Sequence, residues 1–211
     1  MEVQRSLVDC ANPEAPSATD LEAMTADAAR HRTSEELEAA LAHIRGAPAD
    51  NGALELIVRR PAVDEREVLE TGALSLDEGL VGDTWNRRSS SKTPDGGPLL
   101  DAQLNIMNAR AAAAVAGPIE RWALAGDQLY IDLDLSGETL PPGTRLALGE
   151  AVIQITAEPH TGCGKFSARF GVAALRFVNS PAGRALNLRG VNARVARPGT
   201  IRTGDTVTRL S

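Results

Sequence analysis

The most informative segment of the sequence spans residues 158–171 and reads Glu158-Pro159-His160-Thr161-Gly162-Cys163-Gly164-Lys165-Phe166-Ser167-Ala168-Arg169-Phe170-Gly171. It follows an apolar stretch with the composition of a buried strand, crosses a loop and leads into a helix. The glycines on both sides of Cys163 allow unusual backbone torsions and a close approach to a ligand. The pattern therefore predicts a functional loop centred on this cysteine.

Positive charge surrounds Cys163. His160, Lys165 and Arg169 lie in the same segment, and a helix start folded over the sulfur would add its dipole. These groups favour the thiolate, with a pKa below the free value of about 8.5. A thiolate binds soft metals or carries sulfur, so we expect Cys163 to be the chemical centre. His160 and Lys165 complete the expected catalytic set, and a buried, inert cysteine is the alternative.

The second cysteine, Cys10, lies in a segment without such surroundings and is expected to be inert. Two distant cysteines with no CxxC argue against a disulfide framework and against a cysteine-based zinc site. They also cannot ligate a four-cysteine iron–sulfur cluster, so redox chemistry would need electrons from another protein. No second histidine shares the loop with His160, which disfavours zinc there.

The basic residues are unevenly distributed along an acidic chain. The formal net charge is -6, yet residues 159–211 hold nine Lys or Arg against one acid, Asp205. Such a block indicates a localised anion site, unless its members pair with acids from the rest of the chain. Nucleic acid is disfavoured as a partner because the protein is acidic and the block has few aromatic residues.

The order of predicted elements indicates a mainly β fold with a helical lead-in. Thr33 and Glu36 form a capping box before an apolar stripe that ends at Gly46, within an acidic lead-in of residues 1–53. Strand patterns cover 54–58, 129–135, 145–148, 151–157, 191–195 and 206–210, and helices are expected at about 108–116, after Gly171 to Asn179, and from Ser180. Three Gly-Asp pairs, ending at Asp83, Asp127 and Asp205, are interpreted as hairpin turns. Many short strands favour a closed or nearly closed barrel over residues 54–211.

No apolar run approaches the roughly 20 residues that a membrane-spanning helix needs. The N-terminal residues lack the basic-then-apolar order of a signal peptide. We therefore expect a cytoplasmic protein that contacts no membrane.

Several short elements together resemble one family. Pro159 to Cys163 with Lys165-Phe166 and Arg169-Phe170-Gly171 is similar to the cysteine loop of bacterial stand-alone MOSC (molybdenum cofactor sulfurase C-terminal) proteins. The family's other elements follow in order at residues 79–83, 125–129, 142–156, 189–199 and 204–205. Each is weak alone, and their order around one cysteine carries the resemblance. It covers about residues 54–211 and implies a MOSC-type β-barrel with a few short helices.

The resemblance also implies a cofactor. In the family's reducing members the matching cysteine ligates molybdenum held by a pterin dithiolene, and the substrates are N-hydroxylated compounds; sulfurase domains receive the same cofactor. Carried over, Cys163 is the metal ligand or a sulfur carrier. Because molybdopterin bears a phosphate, basic and amide side chains are candidate cofactor contacts: Arg169, Arg184, Arg189, Asn192 and Arg194. Solvated strand and helix faces are the alternative for each of them.

Three functions follow from these patterns. The leading one is a molybdenum-cofactor enzyme that reduces N–O bonds or removes oxygen atoms from a small molecule, with an external electron-transfer protein as donor. The alternative is a sulfur-carrier or cofactor-handling module in which Cys163 carries a persulfide and a cofactor-sulfurating protein is the partner. The third is an interaction module, in which replacing Cys163 changes only stability.

Overall fold

A closed seven-stranded β-barrel forms the centre of the molecule. The computed structural model describes residues 30–210. The strands are β1 Gly52–Arg59, β2 Glu67–Leu69, β3 Thr71–Ser75, β4 Gly79–Leu80, β5 Leu104–Asn108, β6 Leu129–Asp132, β7 Arg145–Leu148, β8 Ala151–Ile155, β9 Val191–Arg197, β10 Gly199–Arg202 and β11 Thr206–Leu210. The α-helices are α1 Ser34–Ala39, α2 Leu41–Arg45, α3 Ala109–Ala116, α4 Gly164–Asn179 and α5 Pro181–Ala185.

The barrel strands follow the order β11-β7-β8-β9-β5-β6-β1, and pairing between β11 and β1 closes the ring. β2 extends β1 outside the ring, and β10, β3 and β4 form a separate small sheet. Within the ring only β5 and β6 pair in parallel. A parallel pair needs a long crossover, which α3 and a 3-10 helix, Ile119–Ala125, supply. The predicted barrel is confirmed.

Alternation along the strands separates two apolar layers. On β6, Leu129 and Ile131 face the barrel interior, whereas Tyr130 between them packs against the helices outside. The Tyr130 hydroxyl donates to the carbonyl of Trp122 at 2.6 Å, which ties the 3-10 crossover to the barrel wall. One face of the barrel is therefore covered by helices, and the barrel interior is filled by side chains.

Part of the predicted lead-in belongs to the same compact unit as the barrel, which includes the described residues from His31 onward. The capping box of Thr33 and Glu36 is confirmed, and Leu37 is fully buried in the apolar layer that contains α3 and α4. The proposed boundary after residue 53 stays a prediction, and residues 1–29, including Cys10, lie outside the described residues. Within residues 30–210 no helix has the length and apolarity needed to cross a membrane.

Helix α4 begins earlier than the sequence indicates. A helix was expected only after Gly171, but helical structure starts at Gly164, with Cys163 as its N-cap residue. Gly171 breaks the helix with a φ of 88° instead of preceding it. A Cβ at this glycine would lie 2.9 Å from the His31 ring, so neither the torsion nor the space suits a larger residue. The break leaves a short first helical segment that starts at the cysteine.

Candidate functional site

Cys163 lies at a pocket of about 640 Å³ formed by loops at one end of the barrel. The pocket wall combines the segment after β1, the residues around Thr84 to Arg88, Gly126, and the first turns of α4. These segments are far apart in the sequence. Arg60 follows β1 and Gly126 lies just before β6, and these two ends meet because β1 and β6 pair in antiparallel. The pocket therefore draws residues from both halves of the chain.

The thiol of Cys163 is exposed and stands at the start of α4. It forms no capping hydrogen bond, but the backbone amides of Phe166 and Lys165 face it. The Phe166 amide lowers the pKa of the thiol most; partial burial opposes this, and the Lys165 amide, Arg189 and Arg169 add to the lowering. The expected shift toward thiolate thus arises mainly from the helix start.

A buried carboxylate behind the pocket holds two of the predicted residues. Asp127 is fully buried; its Oδ1 and Oδ2 accept hydrogen bonds from one terminal nitrogen of Arg189 at 2.9 and 2.7 Å. His160 Nε2 lies 2.8 Å from Oδ1 of the same carboxylate. The other terminal nitrogen of Arg189 donates to the Ala125 carbonyl at 3.0 Å, and its guanidinium lies 5.0 Å from the Phe166 ring centre. Asp127 therefore fixes the orientation of both basic side chains.

The protonation states follow from this arrangement. Burial alone would raise the pKa of Asp127, but the opposing charges of Arg189 and His160 and their hydrogen bonds lower it to about 2. The pKa of His160 is lowered, first by burial and then by Arg189, against the opposing effect of Asp127. Neutral His160 consequently donates its Nε2 proton to the Asp127 carboxylate and keeps Nδ1 as an acceptor.

A second buried network lines the floor of the pocket. Arg60 forms two hydrogen bonds of 2.8 Å to the two carboxylate oxygens of Asp83, and both side chains are almost fully buried. Its remaining terminal nitrogen donates to Asn105 Oδ1 at 3.0 Å and to the Gly126 carbonyl at 2.8 Å. Asn105 donates in turn to Asn192 at 2.6 Å, and Asn192 donates to the carbonyl of Glu158 at 3.0 Å. A chain of hydrogen bonds thus connects Asp83 to the start of the cysteine loop.

The side chain of Asn179, on the last turn of α4, fixes the cysteine loop. Its Oδ1 accepts from the Gly162 amide at 3.1 Å, and its Nδ2 donates to the Gly162 carbonyl at 3.2 Å. A Cβ at Gly162 would lie 2.8 Å from Leu175 and 3.0 Å from Val178. Glycine at this position lets the loop approach α4 closely, and the two hydrogen bonds position the residue before Cys163.

Arg66 and Arg169 converge beside Gly126 at the pocket. A Cβ at Gly126 would lie 3.6 Å from a terminal nitrogen of Arg66 and 3.8 Å from one of Arg169. The pKa of Arg66 is lowered by burial and then by the charge of Arg169 and of Arg60. Apart from Arg169's ion pair of 3.2 Å with the exposed Asp64, both guanidinium groups bond to backbone carbonyls. Two crowded cations without a buried counter-ion form a site suited to an anion.

Five of the predicted site residues line this pocket: Cys163, His160, Lys165, Arg169 and Arg189. Asn192 is one hydrogen bond away, behind Asn105. Two others lie elsewhere among the described residues. Arg184 is exposed on α5 and donates to the Asn179 carbonyl, and Arg194 contacts Gln154 and Asp101 on the barrel side. The basic block thus supplies only part of the anion site.

The sequence interpretation missed the contribution of the N-terminal half. Arg60, Arg66, Arg88 and Asn105 line the pocket. Gly82 and Gly126 do lie at turns with positive φ, but the hairpin interpretation is wrong, because neither Gly-Asp pair joins two strands. Asp83 and Asp127 are instead buried carboxylates that anchor arginines. Asp205 does cap a turn, since it accepts from the Arg202 amide at 2.7 Å. A signal was present: both buried aspartates follow a glycine within elements that carry the family resemblance.

The fold and this site define a known class of domain. A family model described as the MOSC domain matches residues 95–208, more than half of the chain, and the protein belongs to that family. Among solved structures, the YuaD protein of Bacillus subtilis superposes with a TM-score of 0.56 at 16% identity, covering 75% of this chain and 95% of that one. The crystal structure of a hypothetical protein superposes with a TM-score of 0.52 at 18% identity, covering 77% of this chain and 69% of that one.

YiiM of Escherichia coli gives a TM-score of 0.49 at 18% identity, with 75% and 70% of the two chains covered. At these identities the structural likeness establishes the fold alone. No curated protein matches the chain.

The donor atoms at the pocket suit a molybdenum cofactor better than a metal bound by the protein alone. No group of three or more His, Cys, Asp or Glu side chains within residues 30–210 could hold a metal ion. A single exposed thiol fits a metal whose other ligands come with the cofactor. The Nε of Arg189 is the one buried side-chain nitrogen or oxygen without a hydrogen-bond partner among the described residues, so it can donate to a bound group.

Proposed function

We propose that this MOSC domain binds the molybdenum cofactor in the Cys163 pocket and reduces an N–O bond, or removes an oxygen atom, in a small molecule. MOSC domains are associated with molybdenum-cofactor-binding proteins, which favours this cofactor over others. The observation that carries the proposal is the pairing of an exposed thiol of lowered pKa with the anion site of Arg66 and Arg169 in the same pocket. The thiolate would bind a soft metal, and the anion site would bind a phosphate.

Each group of the site has a distinct binding role. The Cys163 thiolate ligates the metal, and Arg66 and Arg169 bind the phosphate of the pterin. Arg189, held by Asp127, donates its Nε–H to an acceptor on the bound cofactor. The buried pairs Arg60–Asp83 and Arg189–Asp127 keep the pocket wall rigid, so little ordering remains for the moment of binding.

The reaction consumes electrons that the chain does not generate. When bound, the cofactor would supply a redox-active metal for this reduction. For an N-hydroxylated substrate, the N–O bond breaks, an N–H bond forms and the oxygen leaves as water. Two electrons from an external electron-transfer protein and two protons balance this reduction. His160 accepts and returns a proton at Nδ1 while Asp127 holds its Nε2 proton.

The proposal is tested by measuring molybdenum per chain on protein made in a host that synthesises the cofactor. We expect near-stoichiometric molybdenum in the wild type and in the control variant Cys10→Ser, and a severalfold lower content in Cys163→Ser as purified. Reduction of N-hydroxylated compounds by a chemical donor should follow the metal content. Absence of molybdenum from the wild type would contradict the proposal, and a labile sulfur on Cys163 would then identify a persulfide carrier.

A further inference from the structure

A second cavity of about 370 Å³ adjoins the Cys163 pocket. The two share Arg88 and Asn105, which places Arg88 where one opens into the other. The second cavity is otherwise bounded by Trp85, by the serine run Ser89 to Ser91, and by Glu158 at the start of the cysteine loop. We call this cavity the serine groove. A molecule bound in it would extend toward Cys163.

Within residues 30–210, no acidic side chain forms an ion pair with Arg88. The charge of Asp83 acts on it, but the two oxygens of Asp83 already accept the two hydrogen bonds of the Arg60 side chain and the amides of Arg60 and Trp85. Burial lowers the pKa of Arg88 most, Arg60 and Arg66 lower it further, and Asp83 opposes them. The Arg88 side chain is exposed to solvent, and a cation on which two other cations act is stabilised by an added anion.

The other charged groups of the serine groove neutralise each other. Lys92 and Glu158 form an ion pair across the groove, which links the serine run to the cysteine loop. The Trp85 Nε1 donates to the Leu99 carbonyl, and Ser90 Oγ accepts from the Lys92 amide. Arg88 therefore carries the net charge of the groove, with the hydroxyls of Ser89 and Ser91 on its wall.

We infer that the serine groove binds a carboxylate or phosphate of the substrate, and that this protein selects anionic N-hydroxylated or N-oxide compounds. Arg88 pairs with the oxyanion, serine hydroxyls donate to it, and the rest of the substrate extends into the Cys163 pocket. The inference rests on the proposed function for the reacting group but concerns a different set of residues. Arg66 and Arg169, which line the Cys163 pocket but not the serine groove, remain for the phosphate of the cofactor.

The test compares two probes of the same shape, benzamidoxime and its para-carboxylate, by calorimetric titration of molybdenum-loaded protein. The carboxylate should bind at least about tenfold more tightly than the neutral compound, because a charge-assisted hydrogen bond to a guanidinium has this strength. In Arg88→Gln this ratio should fall to about one with the molybdenum content retained. Arg88→Lys should recover part of the ratio, and the exposed-site control Arg176→Gln should keep all of it.

Two results would overturn the inference while leaving the proposed function intact. One is equal binding of both probes by molybdenum-loaded wild type. The other is loss of molybdenum from Arg88→Gln, which would assign Arg88 to the phosphate of the cofactor. Failure of the proposed function has a separate signature, namely wild-type protein without molybdenum. If the carboxylate probe binds more tightly as expected, a phosphate-bearing analogue establishes which oxyanion the groove prefers.

Discussion

Replacing Asp127 by asparagine should destabilise the protein far more than an ordinary loss of an ion pair. Asp127 is fully buried, and its partner Arg189 is only 8% exposed. The substitution keeps the shape of the side chain but leaves the guanidinium without its counter-charge. Removing one partner of a buried pair costs about 3–5 kcal/mol, a large part of the 5–15 kcal/mol that typically stabilises a domain.

The free energy of unfolding would be measured by urea denaturation followed by circular dichroism. Asp64→Asn is the matched control, because Asp64 pairs with Arg169 but is 67% exposed, and its loss should cost under about 1 kcal/mol. The double variant with Arg189→Met should be less destabilised than the sum of the single variants, since the unpaired charge is gone. A cost for Asp127→Asn equal to that of Asp64→Asn would refute the anchoring role of this carboxylate.

Three further predictions concern acidity, packing and reactivity. The pKa of Asp127 is about 2 in the folded protein against 3.8 in the unfolded chain, so its stabilisation of about 2 kcal/mol should persist above pH 4 and disappear as the pH falls toward 2. Urea titrations at several pH values check this. The same dependence of the unfolding free energy on pH in Asp127→Asn would contradict it. Gly162→Ala should lower stability by about 1–3 kcal/mol through its clash with α4, whereas Gly164→Ala, whose Cβ meets nothing within 4 Å, should not; equal thermal melts would contradict this. In cofactor-free Cys10→Ser protein, Cys163 should react with iodoacetamide with an apparent pKa below about 8.5, and a normal profile would show that the helix start has no effect.

Six of the eleven strands, β1, β6, β7, β8, β9 and β11, and most helices could be predicted because their signals are local. The barrel strand β5 and the short strands β2, β3, β4 and β10 were not predicted. The alternation on β6, the capping box at Thr33 and the Ser180 cap with Pro181 at the first helical position all appear as expected. The sequence predicts a shorter α4 that begins after Gly171, because a glycine in a helical pattern ordinarily marks the end of a helix. Here Gly171 allows a break within one longer segment, which local pattern alone does not reveal.

The candidate site was only half predictable for a physical reason. Cys163, His160 and Lys165 are clustered in the sequence, so their chemistry could be inferred from one segment. Arg60 and Asp127 reach the pocket only because β1, β5 and β6 are neighbours in the closed barrel, and that pairing is a long-range property of the fold. The charge distribution along the chain correctly indicates an anion site, but Arg184 and Arg194 of the basic block lie outside it.

The central claim, that Cys163 ligates molybdenum, is tested most directly by X-ray absorption at the molybdenum edge. Wild-type protein should show one more sulfur neighbour of the metal than Cys163→Ser protein reconstituted with cofactor. The Cys10→Ser control should match the wild type. Identical sulfur coordination in wild type and Cys163→Ser, with cofactor bound in both, would contradict the claim.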